Sequence, residues 1–244
     1  MTASQPRAAR LPFSRSRCGR ELCLVWRGGW GRLRSRLGLI ALVAVVGVGL
    51  VWFGDDADKA LLDQVHTENI QVTETARFIT DHSDLVLCVP LSLILWGMGA
   101  MCRRARWRRL GLACLMAALI AGLIVQVIKR IPGRPRPDVT GDYPGIFCGP
   151  TSRAKLHSFP SGHTATSTAT GMSLVAAAPI VAIPGAIYAA SVGWSRMQLR
   201  KHYPLDVAVG GFVGFVCGAC FASTVPGSRI KLSRKKRRHR PTQK

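Results

Sequence analysis

Acidic residues are scarce in this chain of 244 residues. It contains 12 Asp and Glu against 34 Lys and Arg, which gives a formal net charge of +22. Soluble nucleic-acid-binding proteins often carry such a charge, but they seldom combine it with long uncharged apolar runs. The composition therefore argues against a nucleic-acid partner.

A metal-binding cysteine pattern is also missing. The chain has eight cysteines, and no spacing among them matches a zinc site. Cys217 and Cys220 form a Cys-x-x-Cys pair inside an apolar run, where small buried cysteines are the more common interpretation. Most of the others also lie in or beside apolar runs, so the cysteines predict no disulfide framework.

Long apolar runs make up much of the remaining sequence. A helical span needs about 20 apolar residues, and four runs approach that length. A longer charge-free stretch is divided into two spans by Pro179 and Pro184. The six predicted spans are 37–54, 85–101, 110–128, 160–178, 180–194 and 207–225. The first run is longer than the apolar core of a signal peptide, and we interpret it as a retained span.

These spans predict an all-α fold, a bundle of six transmembrane helices over 37–225. A basic segment over 1–36 and a basic tail over 226–244 flank it, and both are predicted to lack regular structure. The basic tail resembles a topology anchor or a contact with anionic lipid more than a nucleic-acid-binding segment.

The basic residues predict the orientation of the bundle. Three segments rich in Lys and Arg fall on one side: 1–36, 102–109 and the tail after 225. That side is predicted to be cytoplasmic, and the acidic segment 55–84 then lies outside. The outer segments 129–159 and 195–206 are nevertheless basic, so their cations need another purpose, such as holding an anion.

The first polar motif is KRIPGRPRP, residues 129–137. Lys129 closes the third span, and Arg136 follows a stretch rich in proline and glycine that stiffens the loop. Cations that merely extend towards the membrane surface would give the same pattern.

The second motif is FPSGHT, residues 159–164, at the start of the fourth span. Pro160 suits the first turn of a helix, and Gly162 allows the backbone to approach a ligand closely. The N–H groups of a helix start, together with the Ser161 hydroxyl, form an anion-binding cup. His163 then lies where it can donate a proton to a bound phosphate ester.

The third motif is SRMQLRKHYPLD, residues 195–206, entering the sixth span. Arg196 is a bidentate donor suited to phosphate oxygens. His202 and Asp206 are four residues apart, so helical spacing would place them on one face. A carboxylate bonded to one imidazole nitrogen would make the other nitrogen a nucleophile. The alternative is that Asp206 only complements the helix dipole.

Together, the patterns K-x6-RP, PSGH and SR-x5-H-x3-D resemble the signature of the type 2 phosphatidic acid phosphatase superfamily. The resemblance covers roughly residues 37–225 and implies a membrane enzyme with catalytic loops at the outer membrane–water interface. It implies that Lys129, Arg136 and Arg196 bind phosphate with Ser161 and Gly162. The implied catalytic residues are His202 as nucleophile, Asp206 as its orienting partner and His163 as the acid.

The resemblance also implies a lipid phosphate substrate and no metal or other cofactor. The predicted location is the inner membrane of a bacterium, with cytoplasmic termini and a periplasmic site. Undecaprenyl pyrophosphate or a lipid A phosphate is the favoured substrate, and phosphatidate or phosphatidylglycerol phosphate is the alternative. The 138–158 loop offers headgroup contacts at Tyr143, Phe147, Arg153 and Lys155, and the alternative is that it is an ordinary surface loop.

Three other classes fit less well. A vanadate-dependent haloperoxidase would use a similar pocket but would not need six spans. A transporter usually needs polar residues deep within its spans, and Gln126 is one of few here. A tethering protein would leave both histidines without a role.

Overall fold

A computed structural model describes residues 15–139, 145–177 and 179–232, with side chains from Cys18 onward. The α-helices in these ranges are α1 (Arg15–Arg34), α2 (Leu37–Val65), α3 (Ile70–Asp81), α4 (Asp84–Met101), α5 (Ala105–Ile128), α6 (Gly162–Leu174), α7 (Ala182–Gln198) and α8 (Pro204–Ala222). Two short 3-10 helices cover Ala154–Leu156 and Pro179–Val181. No strand occurs within the described ranges, and the predicted all-α class is confirmed.

Helices occupy all six positions at which spans were predicted. Four of them, α2, α4, α5 and α8, are long and apolar enough to cross a membrane. The other two, α6 and α7, have 13 and 17 residues, which is shorter than the usual length of a span. Both pack against neighbouring helices, and α6 lies between α5 and α8.

The first predicted span continues as a helix beyond its expected end. α2 runs to Val65, with a break in helical geometry at Gly54 (φ −125°, ψ 23°). The break coincides with the end of the apolar run at residue 54. The turns that follow carry Asp55 and Asp58, both buried, so part of the acidic segment is an extension of this helix.

The prediction that the N-terminal segment lacks regular structure is wrong from Arg15 onward. Residues Arg15–Arg34 form α1, which packs against α5 and α8. A Cβ added at Gly29 would lie 2.3 Å from the ring of Phe221, so the backbone of α1 lies directly on that ring. The many arginines conceal this helix in the sequence, because its buried residues, Val25 and Leu33 among them, are few.

Small residues bring α6 and α8 into close parallel contact. Added Cβ atoms at Gly210, Gly214 and Gly218 would lie 2.2–2.7 Å from backbone oxygens of α6 and its N-cap. Glycines at every fourth position allow helix backbones to approach in this way within a membrane. The Ser161 N–H also donates to the Asp206 carbonyl, with N and O 2.9 Å apart. The two helices therefore begin side by side at one end of the bundle.

The basic segments meet at the other end. At the start of α5, Arg108 pairs with Glu21 of α1 at 2.7 Å (nitrogen to oxygen). Arg32 of α1 donates to the carbonyl of Leu232, 3.3 Å away, in the described part of the tail. Lys129 follows the opposite end of α5, whose 24 residues span about 36 Å. The cationic segments and the predicted site residues thus occupy opposite ends of the bundle.

Candidate active site

The PSGH motif forms the N-terminus of α6. Ser161 is the N-cap and is buried, and its hydroxyl lies 2.9 Å from that of Thr164. Pro160 therefore precedes the helix, and its predicted place in the first turn is wrong. In an α-helix the first N–H groups have no carbonyl partner within the helix, so the N–H groups after Ser161 remain available to an anion.

His163 lies in this first turn and has an unpredicted acidic partner. Its Nδ1 is 3.7 Å from Oδ2 of Asp84, the first residue of α4. Thr166 on the next turn of α6 donates to the other oxygen of Asp84 at 2.6 Å. Asp84 has a φ of 57°, in the left-handed region that Asp tolerates better than most residues. The sequence gives little signal for this pairing, because Asp84 is one of eight acidic residues in its segment.

Three cations lie in segments near the two histidines. Lys129 follows α5, Arg136 lies in the loop after it, and Arg196 lies in the last turn of α7. Their charges interact with one another, and those of Lys129 and Arg196 act on both His163 and His202. We call Lys129, Arg136 and Arg196 the phosphate clamp, after the anion that we propose they bind. The structure thus brings together all three predicted cations and both predicted histidines.

The clamp has donors that no described residue satisfies. Within the described ranges, the buried Nε atoms of Arg136 and Arg196 have no hydrogen-bond partner. Buried donors without partners are costly, and the oxygens of a phosphate would satisfy both. A Cβ added at Gly162 would lie 3.6 Å from Nζ of Lys129, so this glycine keeps the space beside the ammonium group open.

Burial and repulsion between neighbouring cations lower the pKa values of Lys129 and Arg196. Burial, aided by the charge of Arg136, lowers the pKa of Lys129 to about 8. The same two causes lower the pKa of Arg196 to about 10. Both groups remain mainly protonated at neutral pH, and a bound anion would stabilise their charged forms.

His202 lies in the connection between α7 and α8, before the helix begins at Pro204. The helical spacing assumed for His202 and Asp206 is therefore wrong, although the two side chains do lie close together. Nδ1 of His202 is 2.7 Å from the carbonyl oxygen of Ser158 and 3.8 Å from Oδ2 of Asp206. A carbonyl only accepts hydrogen bonds, so Nδ1 carries the proton and Nε2 keeps its lone pair.

His202 is neutral at physiological pH. Burial lowers its pKa to about 4, and the charges of Arg196 and Lys129 act in the same direction, against the opposing effect of Asp206. Its side chain is 2% exposed. A neutral imidazole with Nδ1 bonded and Nε2 free is the form required of a nucleophile.

Asp206 is held by three donors other than His202. Its Oδ2 accepts from the Ser158 hydroxyl at 2.5 Å and from the N–H of Tyr203 at 2.9 Å. Its Oδ1 accepts from Arg134 at 2.7 Å. The hydrogen bond from Tyr203 caps α8, so Asp206 combines a structural role with its position near His202. Ser158 contacts both Asp206 and His202, and the sequence reasoning missed it.

Arg134 is an almost fully buried cation near the site, and it was not predicted from the sequence. Its side chain is 1% exposed and lies 2.7–2.9 Å from oxygens of three carboxylates, namely Asp206, Asp55 and Asp58. We call these four residues the Arg134 cluster. Arg134 lies within the first motif, KRIPGRPRP, but no spacing in the sequence connects it with α2. Asp58 also accepts from the N–H of Leu205 at 3.0 Å, which joins α2 to α8.

The 138–158 loop lies beside the site in part. Phe147 stacks on Trp52 of α2 with ring centroids 6.2 Å apart, and Lys155 lies near Arg136 through a backbone hydrogen bond. Tyr143 lies outside the described residues. Among the residues that the structure describes, no group of three His, Cys, Asp or Glu side chains could hold a metal ion.

With this geometry in place, similarity to known proteins can be considered. The profile of the PAP2 superfamily matches residues 110–230. Decaprenylphosphoryl-5-phosphoribose phosphatase from Mycobacterium tuberculosis is 34% identical over 149 residues, covering 59% of this chain and 76% of that protein. The chain belongs to the PAP2 superfamily. The match agrees with the resemblance predicted from the three motifs.

Two further proteins resemble the chain. Lipid A 1-phosphatase from Rhizobium etli is 28% identical over 151 residues, covering 57% of this chain and 65% of that protein. The crystal structure of a transmembrane PAP2-type phosphatidylglycerolphosphate phosphatase from Bacillus subtilis has a TM-score of 0.56 at 20% identity, covering 75% of this chain and 92% of the other. The latter likeness shows the shared fold. This PAP2 protein is a multi-pass membrane protein and a lipid phosphate phosphatase.

Proposed function

We propose that this PAP2 protein removes a phosphate from an envelope lipid through a phosphohistidine intermediate at the outer face of the membrane. The observation that carries the proposal is the adjacency of the segments that hold the two histidines. The N–H of Ser161, two residues before His163, donates to the carbonyl of Asp206, and Nδ1 of His202 is 2.7 Å from the carbonyl oxygen of Ser158. The charges of Lys129 and Arg196 act on both histidines. A phosphoryl group held by those cations would lie between the two imidazoles.

In the first step, Nε2 of His202 attacks phosphorus and the bond from phosphorus to the lipid oxygen breaks. The leaving oxygen takes a proton from His163, which becomes neutral. The clamp and the first N–H groups of α6 stabilise the charge on the transferred phosphoryl oxygens. The carbonyl of Ser158 stabilises the N–H of His202 as positive charge develops on its ring.

In the second step, a water molecule attacks phosphorus and the bond from phosphorus to Nε2 breaks. Neutral His163 takes a proton from the water, which restores the acid, and inorganic phosphate leaves. The charge of Asp84, 3.7 Å from Nδ1 of His163, stabilises the protonated ring in the presence of the cationic clamp. A bound phosphate anion does the same.

The nucleophile is tested with His202→Ala, which is expected to lose at least about 10³-fold of the rate of phosphate release. His82→Ala is a matched control, because His82 is an exposed histidine bonded to Phe78 of its own helix. Wild-type protein quenched during turnover should hold an acid-labile, base-stable phosphate that is absent from His202→Ala. Near-normal turnover by that variant would exclude the assignment.

The fixed cations of the clamp supply the electrostatic stabilisation that a metal provides in other phosphatases. We therefore expect full activity of the detergent-purified protein in EDTA. A strict requirement for added Mg²⁺ would contradict this part of the proposal.

The proposed substrate is a bacterial envelope lipid, either undecaprenyl pyrophosphate or a lipid A phosphate. The names of the M. tuberculosis and R. etli relatives support this class, since each names a phosphatase that acts on such a lipid. Phosphatidate and phosphatidylglycerol phosphate are the alternative substrates. Comparing kcat/KM across these four lipids in identical micelles tests the choice, and a preference for phosphatidate would reject it.

The proposed location is the bacterial inner membrane, with both termini in the cytoplasm and the active site in the periplasm. The basic segments at the end opposite the clamp support this orientation. Cys148 and Cys102 provide a test, because the first lies in the loop near the site and the second, an exposed residue, follows α4 at the opposite end. In spheroplasts, a membrane-impermeant thiol reagent should modify Cys148 and spare Cys102, and the reverse pattern would invert the orientation.

A further inference from the structure

A second cationic cavity lies beside the phosphate clamp. Its volume is about 340 Å³, and its walls come from three stretches of chain. The lining residues are Arg136, Asp138, Val139, Ala154, Lys155 and Lys201. Because Arg136 belongs to both the clamp and the cavity, a group attached to a phosphate in the clamp lies next to this cavity.

Backbone hydrogen bonds hold the walls of the cavity in place. The N–H of Arg136 donates to the carbonyl of Lys155, and the N–H of Val139 donates to the carbonyl of Arg136, both at 3.1 Å. The N–H of Lys201 donates to the carbonyl of Arg196 at 2.9 Å, which joins the third wall to the clamp. Because these walls are already ordered, ligand binding costs little conformational entropy.

The charges of the cavity favour an anion. It has three cationic side chains and one carboxylate, that of Asp138, which accepts a hydrogen bond from Lys201. Among the described residues, Arg136 and Lys155 have no ion-pair partner. These cations lie at the end of the bundle away from the basic segments, so the charge rule that governs membrane orientation does not account for them.

We propose that this cavity binds a second phosphate on the headgroup of the same lipid whose terminal phosphate enters the clamp. The inference rests on the proposed function and specifies its substrate class, namely lipids whose headgroup carries two phosphates separated by several bonds. Of the two favoured substrates it therefore selects a lipid A phosphate over undecaprenyl pyrophosphate, whose two phosphates share one oxygen. The volume is near the lower end of the range for small-molecule sites, about 300–1,000 Å³, which suits a compact charged group rather than an acyl chain.

The test compares two lipids with identical acyl chains, phosphatidylglycerol phosphate with two phosphates and phosphatidate with one. The readout is kcat/KM for phosphatidylglycerol phosphate divided by kcat/KM for phosphatidate. A general loss of activity cancels in this ratio. We expect Lys155→Met to lower this ratio at least about tenfold, the effect of losing one charge-assisted contact. Lys155→Glu should lower it further, because the replacement repels the second phosphate.

Arg153→Met is the matched control. The sequence predicted a headgroup contact at Arg153 as well as at Lys155, but only Lys155 lines the cavity. The proposal therefore expects the loss of Arg153 to leave the ratio unchanged. An equal fall of the ratio in Arg153→Met would overturn the proposal, because the effect would then be one of general surface charge. An unchanged ratio in both Lys155 variants would also overturn it. If the wild type hydrolyses neither lipid nor any other lipid phosphate, the proposed function itself fails, which is a separate result.

Inhibition by inorganic phosphate separates the headgroup from free phosphate as the ligand. If the cavity holds the headgroup, Lys155→Met leaves the inhibition constant for inorganic phosphate close to that of Arg153→Met. If the cavity holds free phosphate, Lys155→Met raises that constant and leaves the substrate ratio unchanged. That second outcome would overturn the proposal.

Discussion

Replacing Arg134 with methionine should destabilise the protein more than any other single charge removal near the site. Its guanidinium lies within 2.9 Å of three carboxylates and is almost fully buried. Removing one partner of a buried ion pair costs about 3–5 kcal/mol, because the other partner is left charged and unpaired. Lys59 still pairs with Asp55 at 2.5 Å, so we expect a value near the lower end, about 3 kcal/mol.

Thermal unfolding of the detergent-purified protein measures this effect. For a chain of this size, about 3 kcal/mol corresponds to a fall of about 10 °C in the melting temperature. Adding Asp58→Asn to Arg134→Met should recover part of the loss, because it removes one of the unpaired carboxylates. Arg77→Met is the control, since its pair with Glu74 is about 60% exposed and should contribute less than about 1 kcal/mol.

Two results would refute the reasoning about Arg134. One is a melting temperature of Arg134→Met within about 3 °C of the wild type, corresponding to about 1 kcal/mol. The other is a double variant that is less stable than Arg134→Met alone. Either would mean that the carboxylates of the Arg134 cluster do not depend on the guanidinium for compensation.

Three further predictions concern the clamp, the acid and the helix contact. Burial lowers the pKa of Lys129 to about 8, so its charge is present below that pH and lost above it. We expect kcat/KM to decline above about pH 8. In Lys129→Arg this decline should shift to higher pH, and an unchanged pH profile would mean that another group causes the decline. Asp84→Asn should slow hydrolysis of alkyl phosphates about tenfold, the effect of one pKa unit, because it weakens protonation of His163. An aryl phosphate, whose leaving group needs no proton, should be hardly affected, and equal slowing of both would disprove this role. Gly214→Ala should lower the free energy of unfolding by about 1–3 kcal/mol, because the added methyl group would separate α6 from α8. Gly49→Ala should have little effect, since Gly49 has open space around it. Equal melting temperatures of the two variants would contradict the packing argument.

Much of the fold follows from the sequence because membrane spans are signalled by composition alone. Apart from the extension of α2 to Val65, the apolar runs locate the helices to within about five residues, as for α4, predicted at 85–101 and observed at Asp84–Met101. The amphipathic helix α1 has no such run. Its position depends on contacts with Phe221 and Arg108, which are distant in sequence, so periodicity alone does not reveal it.

The residues of the candidate site were likewise predicted only in part. The three motifs identify the residues of the clamp and both histidines, because each motif supplies its groups from one short segment. Asp84 and Arg134 were missed because their partners lie on other helices, more than 70 residues away in the chain. The acceptor of the hydrogen bond from His202 was missed for a related reason, since it is the backbone carbonyl of Ser158 and every residue has a carbonyl. The predicted partner, Asp206, lies 3.8 Å from the same nitrogen.

The Arg134 cluster extends beyond the part of the chain that the PAP2 profile recognises. The profile covers residues 110–230, yet Asp55 and Asp58 reach Arg134 from α2, well before that region. A protein shortened to the recognisable motifs would leave Arg134 with a single carboxylate, that of Asp206, and would expose the side of α8 that packs against α2. The first apolar helix thus contributes two charged side chains to this cluster as well as a membrane span, and grafting or trimming experiments need to retain it.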